Sequence, residues 1–112
     1  MHLIVTYEGQ RFQVDVDPRQ IEAAKPMFEQ MDKDMDQGIQ MGRYFVQNPD
    51  EKQKAQMVAH KLMLALSAEK ESTALAMAAY ILDKDPNVAE VDIDTTGEMQ
   101  DTRFIADAQA PV

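Results

Sequence analysis

Residues 27–46 read MFEQMDKDMDQGIQMGRYFV, and this stretch decides how the rest of the chain is arranged. Apolar residues and glycines recur within it, and just before it, at alternating spacings of three and four, the period of one helix face. These residues are Ile21, Ala24, Phe28, Met31, Met35, Gly38, Gly42 and Phe45. The spacing predicts a short helical turn from about Pro18, a kink or restart at Pro26, and a long helix that ends near Gln47.

Gly38 and Gly42 stand four residues apart on this predicted face. A glycine inside a helix costs about 1 kcal/mol relative to alanine, so the pair needs an offsetting interaction. Close approach of another helix would supply that interaction. The alternative is that the helix breaks near Gly38.

The length and composition indicate one domain. A chain of 112 residues is long enough to bury a single core. No apolar run approaches the ~18 residues that span a bilayer, and the first residues lack the basic and apolar blocks of a signal peptide. Cysteine is absent, which excludes disulfides and thiolate sites within the sequence. We expect a cytoplasmic protein.

The net charge is −9, and Arg103 is the one basic residue between 86 and 112. Nucleic-acid binding needs clustered Lys and Arg that displace the counterions of the phosphate backbone. No such cluster occurs in this sequence, so nucleic acids and anionic membrane surfaces are disfavoured as partners.

The segments around this central stretch predict a β-hairpin followed by helices. Apolar residues alternate in residues 3–7 and 11–16, which Glu8-Gly9-Gln10 connects. Asn48 is the predicted cap of a second helix, with Glu51 three residues later. A third helix is predicted from about Thr73 to Leu82, and the two helices together should form an antiparallel pair against the long one.

The last third of the chain predicts two more strands. Val91 and Ile93 alternate with acidic residues, and residues 102–105 follow a turn around Gly97. The predicted fold is therefore α+β: N- and C-terminal hairpins that share one antiparallel sheet, packed against three central helices of which the first is long. Residues 1–106 form the domain, and residues 107–112 should fray as a C-terminal tail.

Two acidic runs resemble the start of a calcium-binding loop, Asp32-x-Asp34-x-Asp36 and Asp92-x-Asp94-x-Thr96-Gly97. Such a loop ends with a bidentate glutamate at its twelfth position. Arg43 and Arg103 occupy that position in the two runs. A solvated helix face and a hairpin turn are therefore the favoured interpretations, and no metal site is predicted.

Nine methionines make the chain rich in this residue, and Met27, Met31 and Met35 are spaced as thioether ligands of Cu(I) could be. Methionine also fills irregular cores and adaptable binding surfaces. Because no histidine cluster or export signal accompanies these methionines, core or interface is the favoured role.

His60 has no acidic residue at its helical neighbours that would orient it as a general base. We expect a surface or half-buried histidine. The alternatives are a two-histidine site with His2 or a pairing with Ser67 or Ser72. No phosphate loop, nucleophile elbow or zinc motif is present, so catalysis is disfavoured and no cofactor is predicted.

Arg43 and Tyr44 pair a cation with an aromatic ring and could touch a ligand. The simpler interpretation places Arg43 at the negative end of the long helix. Tyr44 would then pack with its hydroxyl in water.

The leading hypothesis is a non-catalytic module that binds another protein or forms a homodimer. The predicted surface is the Met/Gly face of the long helix: Met27, Met31, Met35, Gly38, Met41 and Gly42. The second hypothesis is a small-molecule or metal-binding domain, possibly enzymatic, with a site between sheet and helices that involves His60, Asp92 and Asp94. A third is an acidic inhibitor or antitoxin, suggested by the charge alone.

Overall fold

The computed structural model describes residues 1–106, and the predicted tail at 107–112 lies outside the described residues. The described chain is α+β, as predicted. Its elements are β1 (His2–Tyr7), β2 (Gln10–Asp15), α1 (Pro18–Asp36), β3 (Ile39–Met41), β4 (Tyr44–Val46), α2 (Glu51–Ser67), α3 (Glu71–Lys84), β5 (Val88–Asp92), a 3-10 turn (Met99–Asp101) and β6 (Arg103–Ala106).

The main sheet has the strand order β2-β1-β5-β6. The first and last strand pairs are antiparallel and share this sheet, which confirms the predicted arrangement of the two hairpins. The central pair, β1 with β5, is parallel, so the expectation of a wholly antiparallel sheet is wrong at that point. Parallel neighbours need a long crossover connection, and here the three helices provide it.

The helices cover one face of the sheet. Leu3, Val5 and Tyr7 of β1 are buried on that face, as is Val91 of β5. The hydroxyl of Thr6 lies on the other face, at 3.2 Å from carboxylate oxygens of β5. The helices α2 and α3 pack against each other, and α1 packs against α3.

Helix α1 differs from the prediction at Pro26 and at its end. It starts at a capping box, in which Asp17 accepts a hydrogen bond from the backbone N–H of Arg19, and it runs through Pro26 without a break. Pro26 is exposed, so water can reach the carbonyl that its missing N–H leaves unpaired. The helix then ends at Asp36. Two residues later, Gly38 has a φ of +113°.

A short hairpin of β3 and β4, separate from the main sheet, occupies the residues that were predicted as the end of the long helix. The strands β3 and β4 pair Ile39 with Val46 and Met41 with Tyr44. Gly42 has a φ of +64° and is the first residue of the two-residue turn between them, the position that a type II′ turn reserves for glycine. The prediction of helix to Gln47 is therefore wrong, and a break near Gly38 is what the structure has.

The starts of α2 and α3 also differ from the prediction. Asp50, rather than Asn48, is the cap of α2: its carboxylate accepts from the backbone N–H of Gln53 at 2.7 Å. The side-chain oxygen of Gln53 in turn accepts a hydrogen bond from the backbone N–H of Asp50 at 2.9 Å. Helix α3 begins at Glu71, slightly before the expected residue. Within residues 1–106 no helix has an apolar stretch long enough to cross a membrane.

Candidate functional site

The six residues predicted as an interaction surface do not share one face. Met27, Met31 and Met35 lie on α1, but Met41 lies on β3, and Gly38 and Gly42 are in the connections around it. Met35 and Met41 are 5% and 1% exposed, so they belong to the core of the chain itself. Met27, by contrast, is 40% exposed, so part of the Met/Gly stripe is core and part is surface. The predicted helix face does not continue beyond Asp36, and a role of these residues in an interface stays a prediction.

The exposed aromatic residues lie instead on the short hairpin that follows. We define the hairpin tip as Arg43, Tyr44 and Phe45. Tyr44 is 50% exposed and Phe45 is 59% exposed. The guanidinium carbon of Arg43 lies 5.6 Å from the centroid of the Tyr44 ring, a cation–π arrangement.

The two glycines that flank β3 explain how the hairpin tip is held. A Cβ on Gly38 would overlap the ring of Phe45, so the absence of a side chain lets that ring lie against the backbone. A Cβ on Gly42 would overlap the carbonyl oxygen of Gly97. Close approach does account for these glycines, as expected, but the approaching groups are a ring and a loop.

An ion pair and side-chain hydrogen bonds fix the tip on the loop after β5. The guanidinium of Arg43 donates to the Glu98 carboxylate at 2.8 Å, and hydrogen bonding to Glu98 raises the pKa of Arg43. The side chain of Gln40 donates to the carbonyl of Gly42, also at 2.8 Å. The hairpin tip is thus an exposed aromatic surface on an anchored support.

Asp92 and Asp94, suspected as ligands of a bound group, are occupied by the protein itself. The Asp94 carboxylate accepts from the backbone N–H groups of Thr96 and Glu98 at 3.0 and 2.9 Å, which shapes the loop that supports the tip. Asp92 accepts from Arg103 at 2.6 Å. The hydrogen bond from Arg103 lowers the pKa of Asp92.

Some of the acidic residues of α1, which were predicted to face solvent, contact the other helices of the chain. Asp32 accepts hydrogen bonds from the hydroxyl of Tyr80 and from Lys84, the latter at 2.7 Å. Asp36 forms an ion pair with Lys54. We call Asp32, Tyr80 and Lys84 the α1–α3 clasp, since it joins these two helices.

The clasp is not arranged for proton transfer near neutral pH. Burial alone would raise the pKa of Asp32, but hydrogen bonds from Lys84 and Tyr80 bring it below the ordinary value. Burial and the nearby Asp32 raise the pKa of the Tyr80 phenol, and the Asp32 hydrogen bond raises that of Lys84. All three pKa values move away from neutrality, whereas an efficient general acid or base has a pKa near the working pH. The clasp is a structural contact.

His60 is half-buried, as expected, on α2. Its Nδ1 is a buried nitrogen without a hydrogen-bond partner within residues 1–106, and burial lowers the pKa of the imidazole. Ser67, a suggested partner, is hydrogen-bonded to the hydroxyl of Tyr7 at 3.1 Å. Over the same residues no group of three or more His, Asp or Glu side chains is placed to hold a metal ion.

The sequence pointed to Arg43 and Tyr44 as possible ligand contacts. It did not predict the β3–β4 hairpin that carries them, or the exposure of Phe45. The signal was present, because a Gly-Arg pair separates Ile39-Gln40-Met41 from Tyr44-Phe45-Val46. Two short runs joined by two residues that begin with glycine are typical of a type II′ hairpin.

Comparison of the chain with protein-family models, with curated proteins and with solved structures found no match. The function must therefore be argued from the surfaces of the chain itself.

Proposed function

We propose that the chain is a non-catalytic module that binds another protein through its hairpin tip. The observation that supports this most directly is the exposure of Tyr44 and Phe45, consecutive residues of β4 on an anchored hairpin. Protein interfaces are enriched in Tyr, Phe and Arg, and the residues that dominate binding energy are most often Trp, Tyr and Arg. The tip presents three such residues in sequence.

Rigidity adds to this argument. Ordering a loop on binding costs free energy that an already ordered surface avoids. Gly42 packs against Gly97, and Arg43 is paired with Glu98, so the backbone of the tip is fixed before any partner arrives. Ile39 and Met41 of the same hairpin are buried, so the core accounts for β3, whereas a partner that covers Tyr44 and Phe45 would account for the exposed aromatic residues of β4.

The net charge favours a different protein over a second copy. Each chain carries −9, so two copies repel one another, whereas a partner with a basic surface is attracted. We therefore infer a partner with basic residues around an apolar patch that receives Tyr44 and Phe45.

Site-specific photo-crosslinking in the cells that make the protein tests this proposal. The photoreactive residue p-benzoylphenylalanine replaces Phe45 in one variant and Leu64 in the matched control. Leu64 lies on α2 and is 52% exposed, close to the exposure of Phe45, so it places the same photoreactive group on a different surface of the chain. Position 45 should form an adduct of discrete mass that is absent at position 64 and is lost when Tyr44→Ser is added.

Equal adducts at both positions, or none at position 45, would refute the proposal. An adduct of twice the chain mass would identify a second copy as the partner. In that case the inference of a different, basic protein is wrong.

A further inference from the structure

The edge strand β6 borders a groove that the hairpin tip does not touch. β6 is the last strand of the main sheet and pairs with β5 on one side. Within residues 1–106 no strand lies on its other side. An edge strand presents unpaired N–H and C=O groups, which are a template for another extended chain.

The groove has a volume of about 910 Å³ and lies between β6, the start of α2 and the end of α3. Its apolar lining comes from Ala55 on α2, Ile81 on α3, and Phe104 and Ile105 on β6. Ile105 is 41% exposed, so part of this lining faces water. An apolar groove beside a sheet edge is the arrangement by which several peptide-binding domains add a strand to their sheet.

The charges around the groove indicate what kind of peptide fits. Six charged side chains line it: Glu51, Lys52, Lys84, Asp85, Asp101 and Arg103. Lys84 is already paired with Asp32, and Arg103 with Asp92. Of the remaining four, three are carboxylates and one is a lysine, so the charge left for a ligand is negative.

We propose that this groove binds an extended, basic peptide segment of another protein as a fifth strand on β6. Main-chain hydrogen bonds to the strand edge supply affinity. Side chains alternate along a strand, so every second residue enters the groove and should be apolar. Lysine or arginine residues between or beside them reach Glu51, Asp85 and Asp101. The site is independent of the hairpin tip, and either could exist without the other.

Nuclear magnetic resonance titration of the full chain tests the proposal. The probe is a peptide of alternating valine and lysine about six residues long, enough to cover a short strand. Its backbone N-methylated form is the control, because it keeps the charge and side chains but loses main-chain donors. The unmodified peptide should shift the amide signals of residues 103–106 and of Ala55 and Ile81, and the N-methylated form should leave them unchanged.

Two double variants distinguish attraction of the peptide by charges at the groove from attraction by the net charge of the chain. Glu51→Gln with Asp101→Asn removes two negative charges at the groove, and we expect about fivefold weaker peptide binding. Glu22→Gln with Glu29→Gln removes the same charge from exposed positions on α1, and binding should change by less than about twofold.

Three results would overturn the proposal. In the first, both peptides shift the same signals, which indicates attraction without strand addition. In the second, both charge variants weaken binding equally. In the third, the signals of residues 103–106 depend on protein concentration without peptide, which indicates that a second copy of the chain already occupies the edge.

Discussion

The two tight hairpins of the chain differ in how much of their apolar surface is buried: β3–β4 buries Ile39 and Met41 but leaves its aromatic residues exposed. The first, β1–β2, lies in the main sheet, and Leu3, Val5 and Tyr7 are buried beneath the helices. The second, β3–β4, has three residues per strand and exposes Tyr44 and Phe45. The same local motif therefore lies in the core in one place and is divided between core and surface in the other, and the contacts around each hairpin make the difference.

The largest expected effect comes from truncating one apolar residue in each hairpin. Leu3→Ala removes a fully buried side chain and should lower the free energy of unfolding by about 3 kcal/mol. Phe45→Ala removes a mostly exposed ring and should cost less than about 1 kcal/mol. Urea denaturation followed by circular dichroism measures both. Equal losses would mean that the Phe45 ring, like Leu3, is part of the core.

The turns of the two hairpins give the next comparison. Gly9 and Gly42 both have positive φ, so alanine at either costs about 1–2 kcal/mol in backbone strain. A Cβ at Gly9 meets open space, whereas at Gly42 it overlaps the carbonyl of Gly97. Gly42→Ala should therefore cost about 1–2 kcal/mol more than Gly9→Ala, because overlap in a close contact adds to the strain. Similar midpoints for the two variants in thermal unfolding would show that the tip is not anchored there.

The next comparison is between Tyr80, which is buried on α3, and Tyr44, which is half exposed on the second hairpin. Tyr80→Phe removes the hydrogen bond to the half-buried Asp32 and should cost about 1 kcal/mol at pH 7, while Tyr44→Phe should cost almost nothing. The pKa of Tyr80 is raised above 10.0 in the folded chain, so above that pH the unfolded state loses its proton first. The advantage of the wild type over Tyr80→Phe is thus present below pH 10 and lost as pH rises beyond it. Denaturation at pH 7 and pH 11 would check the sign.

The smallest expected effect is the contribution of His60 to the pH dependence of stability. His60 lies on α2, and Ser67 of the same helix is hydrogen-bonded to Tyr7 of the first hairpin. Burial lowers the pKa of His60, so the unfolded state binds a proton first as pH falls through 6.5. Stability should fall slightly between pH 7 and pH 5, and this slope should be reduced in His60→Gln. A slope that is unchanged in His60→Gln would assign it to other groups.

Much of the fold could be predicted from local patterns. Alternation in residues 3–7 and 11–16 determines the first hairpin, and the helix start at Asp17-Pro18 follows from cap chemistry. The parallel pairing of β1 with β5 could not be predicted, because no local pattern records which distant strands become neighbours.

The candidate site was harder to predict, for a reason visible at Gly38 and Gly42. Two glycines four residues apart fit a helix face and also fit the two ends of a three-residue strand. Only the positive φ at both, and the contacts with Phe45 and Gly97, distinguish these possibilities. The solvent exposure of Tyr44 and Phe45 then depends on tertiary packing, which the pattern of residue types does not specify.

The parallel pairing of β1 and β5 also bears on how the chain is made. Thr6 lies opposite Asp92, 86 positions later in the sequence, so β1 cannot pair with its central neighbour until residues 88–92 have been synthesised. During synthesis the first hairpin can form, but one edge of β1 stays open for the time needed to translate all three helices. We therefore expect the newly made chain to be most exposed to wrong strand pairing just before residues 88–92 emerge, and we expect the closing of so long a loop to slow its folding.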